Sequence, residues 1–219
     1  MQSFKIQIED LIGDVADDTL ISSAIQDIGA ELVSVSPIQK LKNYIKTTAI
    51  SSSGLNIASK KIITVEKGDY IAKEIGASDK AKYKDTGSIY ASADTDPVYY
   101  VESQSVFVIG AASGNETSGV LHFIPNVPTH DGDNVIVHGS TSVEHFPKDG
   151  IPLIVLGGAI RCLQRAIADK RTQLELYVQT DEDPEMAQTE MLEVQAAQTQ
   201  LQLMEAQYAK SLDIYSKTN

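Results

Sequence analysis

The sequence has a single cysteine, Cys162, and no tryptophan. One thiol cannot form a disulfide within the chain, and the usual structural zinc site needs a cluster of cysteines. Such cysteine usage is typical of proteins made in a reducing cytosol. No apolar run approaches the roughly 18 residues needed to cross a membrane. The N-terminal residues turn acidic by Glu9 and Asp10 and are not expected to form a secretory signal. We therefore expect a soluble protein with no membrane partner.

Basic residues are also scarce. The chain has 18 Lys and Arg against 30 Asp and Glu, which gives a formal net charge of -12. Binding of a phosphate backbone requires clustered Lys and Arg, so this balance argues against a protein that grips nucleic acid. It favours a surface kept soluble by repulsion, or a surface past which nucleic acid slides without adhering.

The residue pattern divides the chain into three parts and predicts an α+β fold. Residues 1–46 are predicted to be helical, with Asp17 or Asp18 as N-cap and a further short helix over residues 37–46. Residues 47–150 are predicted to form an inserted, small antiparallel β domain, in which β-branched and aromatic runs alternate with turn signals. Within it, residues 98–101 and 106–109 are predicted to form a hairpin, and residues 134–138 a further strand. Residues 151–219 form a long helical hairpin that packs with the N-terminal helices. Apolar residues at three- and four-residue spacing define the first stripe: Leu20, Ile21, Ala24, Ile25, Ile28 and Leu32.

The C-terminal part carries the clearest periodicity in the sequence. Pro184 follows an acidic break, residues 181–183, where one helix ends and another begins. Apolar residues on both helices recur with alternating spacings of four and three, or seven apart, as expected for helix packing. We predict that these positions form helix-packing or subunit-interface contacts: Leu156, Ile160, Leu163, Ile167, Ala187, Val194, Leu201, Tyr208 and Tyr215.

The second helix of this hairpin has an unusual surface. No Lys or Arg occurs from Thr172 to Ala209, although eight acids and many glutamines do. An ordinary exposed helix mixes charges of both signs to gain i,i+4 pairs. Two interpretations remain open: a solvated face of the hairpin, or a helix that packs against copies of itself or lines a shared channel.

Residues able to carry catalytic chemistry are dispersed. Spacings of about eight separate the four histidines, His122, His130, His138 and His145, which is not a metal-ligand pattern. His122 and His138 would face each other only if they lay on adjacent strands. There is no G-x-S-x-G motif, and Cys162 lies among apolar residues as a buried structural thiol. We expect no enzyme activity, no metal and no cofactor.

Three stretches resemble the head-to-tail connector, or adaptor, proteins of tailed bacteriophages of the marine and cyanobacterial type. They are residues 87–109, residues 145–159 and the acidic break before Pro184. The resemblance implies a homo-oligomeric ring, twelve-fold, assembled in the host cytoplasm and located in the neck of the virion. The ring would bind the portal protein above and a downstream tail, nozzle or stopper protein below. Genomic DNA would pass through its channel, and no residue of the ring would perform chemistry.

Within such a ring, the acidic face and the C-terminal segment are the candidates for the channel lining or the portal contact. These residues are Glu190, Glu193, Glu205, Leu212, Ile214 and Tyr215. Other interpretations remain open at this point: another tail-ring protein (completion, terminator or baseplate), a peptidase or lytic enzyme, or a non-viral helical adaptor.

Overall fold

The computed structural model describes residues 2–58, 60–110, 114–132, 134–180 and 184–217. The chain divides into two compact units. A helical unit comprises Met1–Asn43 and Val127–Asn219, and a β unit comprises Tyr44–Asn126. The predicted α+β class, with C-terminal helices and an inserted β domain, is confirmed. The contacts place residues 127–150 in the helical unit, whereas the sequence pattern groups them with the strands.

The helical unit begins with α1 (Phe4–Ile12) and α2 (Asp18–Val35). The predicted N-cap is confirmed, because the Asp17 carboxylate accepts hydrogen bonds from the backbone N–H groups of Thr19 and Leu20. Both donors would otherwise lack a partner at the helix start. The apolar stripe of α2 is buried, as its spacing predicts.

The β unit combines short strands with one short helix, α3 (Lys80–Lys84). The strands described are β1 (Lys46–Ile50), β2 (Leu55–Asn56), β3 (Lys60–Lys67), β4 (Tyr70–Ile71), β5 (Lys73–Glu74), β6 (Val98–Glu102), β7 (Ser105–Ile109), β8 (Glu116–Thr117) and β9 (Gly119–Pro125). The first sheet has the order β1-β9-β3-β4, and the second has the order β2-β7-β6-β5, with β8 paired to β7.

The predicted hairpin of β6 and β7 is confirmed, with Val98 opposite Ile109. Its two turn residues, Ser103 and Gln104, have φ angles of 50° and 61°. Two successive residues with positive φ match the twist of antiparallel strands. The buried core of the unit draws side chains from both sheets: Ile50, Val65, Leu121 and Phe123 from the first, and Tyr99, Val106 and Val108 from the second.

The helix predicted over residues 37–46 is wrong. That segment contains only a 3-10 turn, Lys42–Tyr44, and β1 begins at Lys46. Residues of β1 pair in register with β9, from Lys46 opposite Phe123 to Ile50 opposite Gly119. Long-range pairing with a strand some 70 residues away therefore overrides a local helical spacing.

The strand predicted over residues 134–138 is shorter than expected and belongs to the helical unit. There β10 (Thr129–His130) pairs with β11 (Asn134–Val135). His138 follows β11, whereas His122 lies on β9 of the β unit. The two histidines are therefore not on adjacent strands.

Two long helices complete the helical unit, α4 (Ile151–Thr180) and α5 (Pro184–Lys217). At 1.5 Å per residue they are about 45 Å and about 51 Å long. They run antiparallel, because Gln164 contacts Glu205 whereas Lys170 contacts Glu193. The predicted hairpin is therefore present, and the acidic break at residues 181–183 lies outside the described residues.

The first half of α4 is the centre of the helical unit and packs on α1, α2 and α5. Two glycines permit close contact there: a Cβ added at Gly157 would lie 2.9 Å from Ile28, and one at Gly158 would lie 3.0 Å from Ile25. Within the described residues, Ile151–Glu175 is apolar and long enough to span a membrane, and 56% of its most apolar window is buried. The core helix of a soluble protein has these properties as well.

Candidate functional site

The described part of the chain contains no group of three or more His, Cys, Asp or Glu side chains placed to hold a metal ion. His122 Nε2 lies 3.1 Å from a carboxylate oxygen of Glu66 on the neighbouring strand β3. His138 Nδ1 lies 3.2 Å from Ser22 Oγ, and its Nε2 lies 3.4 Å from Asp18. Each of these two histidines therefore has its own local partners in a separate unit.

Cys162 is buried on α4, as the sequence pattern predicts. Burial, together with the negative charge of Asp17, raises the pKa of its thiol to about 11. At neutral pH the thiol is therefore almost entirely protonated, and the thiolate is the reactive form. This environment suits a structural side chain rather than a nucleophile.

The inner stripe of α5, the residues 187, 194, 201, 208 and 215, faces its own chain. Val194 and Tyr215 are buried, and Ala187, Leu201 and Tyr208 are half-buried. The matching residues of α4 are also buried: Leu156, Ile160, Leu163 and Ile167. The six buried positions are therefore covered within one chain and the three half-buried ones are partly covered, which leaves other surfaces for contacts between chains.

Two of the predicted channel-facing acids contact α4. Glu193 forms an ion pair with Lys170, and Gln164 Nε2 donates a hydrogen bond to Glu205 at 2.9 Å. Both acids are exposed, so these pairs are solvated. Glu190 is half-buried, and one of its oxygens is buried without a hydrogen-bond partner among the described residues. The three acids thus differ in surroundings and do not form one cluster.

The C-terminal end of α5 is anchored rather than free. Tyr215 is only 3% exposed, and its hydroxyl lies 2.8 Å from Ser36 Oγ at the end of α2. Lys40 Nζ donates to the Tyr215 carbonyl oxygen at 2.9 Å and pairs with Asp149 at 2.6 Å. Among the predicted portal-contact residues of this segment, Tyr215 is therefore buried in its own chain. Leu212 is half-buried, and Ile214 is 57% exposed.

A cleft of about 1310 Å³ lies within the helical unit, beside this anchor. It is lined by α1, the segment 142–149, the start of α4 and the C-terminal half of α5. Apolar side chains dominate its lining. The lining also contains two lysines, one histidine and one aspartate: Lys40, Lys148, His145 and Asp149. Its volume exceeds the roughly 300–1,000 Å³ of a typical small-molecule pocket.

Comparison with protein-family models finds no match for this chain. Comparison with curated proteins finds no match either. The function is therefore inferred from the residues and their geometry.

A second stripe on α5, here called the outer stripe, was not predicted from the sequence. Its members are all exposed: Leu192, Ala196, Thr199, Leu203 and Ala206. They follow one another at spacings of four, three, four and three, a pattern typical of helix packing, whereas the inner-stripe residues are seven apart. The spacing was therefore present in the sequence. It is less conspicuous than the inner stripe because three of its five members are alanine or threonine rather than large apolar residues.

The outer stripe lies on a part of α5 that is almost free of charge. Residues 194–204 contain no Asp, Glu, Lys or Arg, in a chain of which 22% of residues are charged. Leu192 and Leu203 are 61% and 69% exposed. By contrast, the exposed face of α4 carries an i,i+4 ion pair between Arg165 and Asp169. The exposed surface of α4 is thus charged, whereas that of the central part of α5 is uncharged.

Tyr208→Phe is expected to leave stability at neutral pH unchanged or to raise it by about 1 kcal/mol. The reason is that the Tyr208 hydroxyl is buried without a hydrogen-bond partner among the described residues. Burial, with the Glu31 charge, raises the pKa of Tyr208 from 10.0 to about 12. Stability that depends on the neutral phenol is therefore complete below pH 10 and is lost as the pH rises through 12.

The measurement is urea unfolding of both proteins at pH 8 and pH 11, followed by far-UV circular dichroism. The wild-type protein should lose more stability than Tyr208→Phe between these pH values. An equal loss in both proteins would mean that Tyr208 does not contribute to the alkaline sensitivity.

Proposed function

We propose that this chain is a structural virion protein, a head-to-tail connector that forms a ring of twelve copies between portal and tail. The observation that supports this most directly is the α4–α5 hairpin. Its helices are 30 and 34 residues long, and among the α4 side chains whose burial is described, up to residue 175, Ile167 is the last buried one. A hairpin that extends beyond the buried core of its own helical unit is suited to pack beside the hairpins of other copies in the wall of a ring.

The charge distribution supports the same proposal. The chain has a net charge of -12, and from residue 172 to residue 209 it has acids and no base. A channel surface of this composition repels phosphate groups and lets DNA slide, since adhesion needs clustered Lys and Arg. In this proposal the partners are further copies of the chain, the portal protein and a downstream tail component. The protein has no catalytic role, binds no cofactor, and acts in the neck of the virion.

The functional test is native mass spectrometry at several protein concentrations, with negative-stain imaging, alone and with the portal protein added. We expect closed twelve-fold rings, either free or assembled on the portal. Six-fold rings would instead identify another tail-ring protein, such as a terminator. A monomer that neither assembles alone nor binds the portal would refute the proposal, and so would a compact dimer that is stable on dilution.

A further inference from the structure

The outer stripe of α5 is an exposed surface with the composition of a helix–helix contact. Leucine, alanine and threonine recur along it at the spacing that lets side chains of two helices interlock. Its small residues, Ala196 and Ala206, permit close approach of another backbone. Charged residues are depleted in the centres of protein interfaces, and the stripe passes through residues 194–204, which carry none.

From this we infer that the outer stripe of α5 is the surface by which one copy of this chain contacts a second copy. The inference rests on the proposed function, because a ring requires such a contact and the inner stripe is already used within the chain. It adds the location of the contact on the molecule and its salt dependence.

Charge favours a second copy over another kind of occupant. Two copies that each carry -12 repel one another, and contact through an uncharged face avoids bringing acids of α5 against a like-charged surface. From Leu192 to Ala206 the helix offers no Lys or Arg to which a nucleic acid could bind. A basic protein would gain more from the acidic parts of α5, at residues 185–193, than from its neutral centre.

The size of the stripe indicates how strong the contact is. From Leu192 to Ala206 it spans 15 residues, or about 22 Å of helix, and a helix is about 10 Å wide. The buried area is then on the order of 200 Å² per copy, well below the roughly 800 Å² per partner of a standard interface. This contact alone does not hold a dimer at low concentration. It suits an assembly in which each copy has two neighbours and closure of the ring adds further contacts.

The test compares the wild-type protein with Leu203→Glu and with Thr172→Glu. Leu203 lies in the outer stripe, whereas Thr172 is exposed on α4, so both variants add the same charge to an exposed helical position. Circular dichroism verifies that both variants fold. We expect Leu203→Glu to raise the concentration needed for half-assembly by about tenfold or more, and Thr172→Glu to leave it nearly unchanged.

Salt distinguishes a second copy from an oppositely charged partner. Self-association of like-charged copies should strengthen as NaCl increases from 0.05 to 0.5 M, because screening reduces their repulsion. Binding of an oppositely charged protein would weaken over the same range. Analytical ultracentrifugation of the purified full chain gives both the assembly state and its salt dependence.

The outcomes separate this inference from the proposed function. Rings that form equally well with Leu203→Glu would overturn the inference and leave the ring function standing. A wild-type chain that stays monomeric at about 1 mM in 0.5 M NaCl would also overturn it, while the portal-binding experiment decides the function independently. Loss of assembly in Leu203→Glu alone, with stronger assembly at high salt, supports both.

Discussion

We expect Gly114→Ala to destabilise the β unit by about 2–5 kcal/mol. Gly114 has a φ of +68°, in the left-handed region, and an added Cβ would lie 1.9 Å from the carbonyl oxygen of Lys84. The left-handed conformation costs an L-residue roughly 1–2 kcal/mol, and relief of the clash requires movement of backbone rather than of a flexible side chain. The two effects act at the same position and in the same direction.

Movement at Gly114 also disturbs a neighbouring polar cluster. Glu116 accepts a hydrogen bond from Tyr100 at 2.7 Å and pairs with Lys84. Burial alone would raise the pKa of the Glu116 carboxyl, but the hydrogen bonds from Lys84 and Tyr100 outweigh it and hold that pKa below its usual range. Separation of Lys84 from Glu116 would remove the ion pair and weaken the hydrogen bonding of the Glu116 carboxylate and the Tyr100 hydroxyl. This adds to the loss of stability.

Gly68→Ala is the matched control for this prediction. Gly68 belongs to the same unit and has a φ of +58°, but an added Cβ there would meet no atom within 4 Å. It should cost only about 1–2 kcal/mol, the conformational part of the effect. Hydrogen exchange of β6 and β7 measures the stability of this unit separately from the helices. Equal losses in the two variants would show that the contact with Lys84 is not restrictive.

Local patterns predicted the elements that depend on local physics. The N-cap at Asp17, the hairpin of β6 and β7 and the two long C-terminal helices all follow from neighbouring residues. The strand β1 does not, because its partner β9 lies about 70 residues away and no local signal specifies that pairing. The sheet order has the same origin, which is why the sequence predicted a β domain but not its topology.

An amphipathic stripe indicates that a helix face is buried, but not which molecule covers it. The periodicity of Leu156 and Ile160 was compatible with burial between copies or within one chain. The contacts of α4 with α1 and α2 show that the chain covers them itself. Tyr215 illustrates the same limit, because its partners Ser36 and Lys40 precede it by more than 170 residues. The exposed outer stripe could be distinguished from the inner one only once burial was known.

Tyr215→Ala is expected to destabilise the helical unit by about 3–5 kcal/mol, the range for truncation of a buried aromatic side chain. The ring is 3% exposed and lies beneath Lys40, whose Nζ is 3.7 Å from the ring centroid. Its hydroxyl contacts Ser36 at the end of α2, so one side chain joins the ends of α2 and α5. Removal of the ring leaves a cavity and takes away the cation–π contact of a lysine side chain that is only 9% exposed.

Tyr215→Phe separates packing from hydrogen bonding at this anchor. It keeps the ring and the contact with Lys40 and loses only the hydroxyl near Ser36, which should cost about 1 kcal/mol. Urea unfolding measures the global loss, and hydrogen exchange of residues 205–217 shows whether the end of α5 opens first. If Tyr215→Ala cost no more than Tyr215→Phe, or left exchange of this segment unchanged, the C-terminal end of α5 would not be anchored here. That end would then be available to a partner protein, as the sequence first suggested for the portal contact.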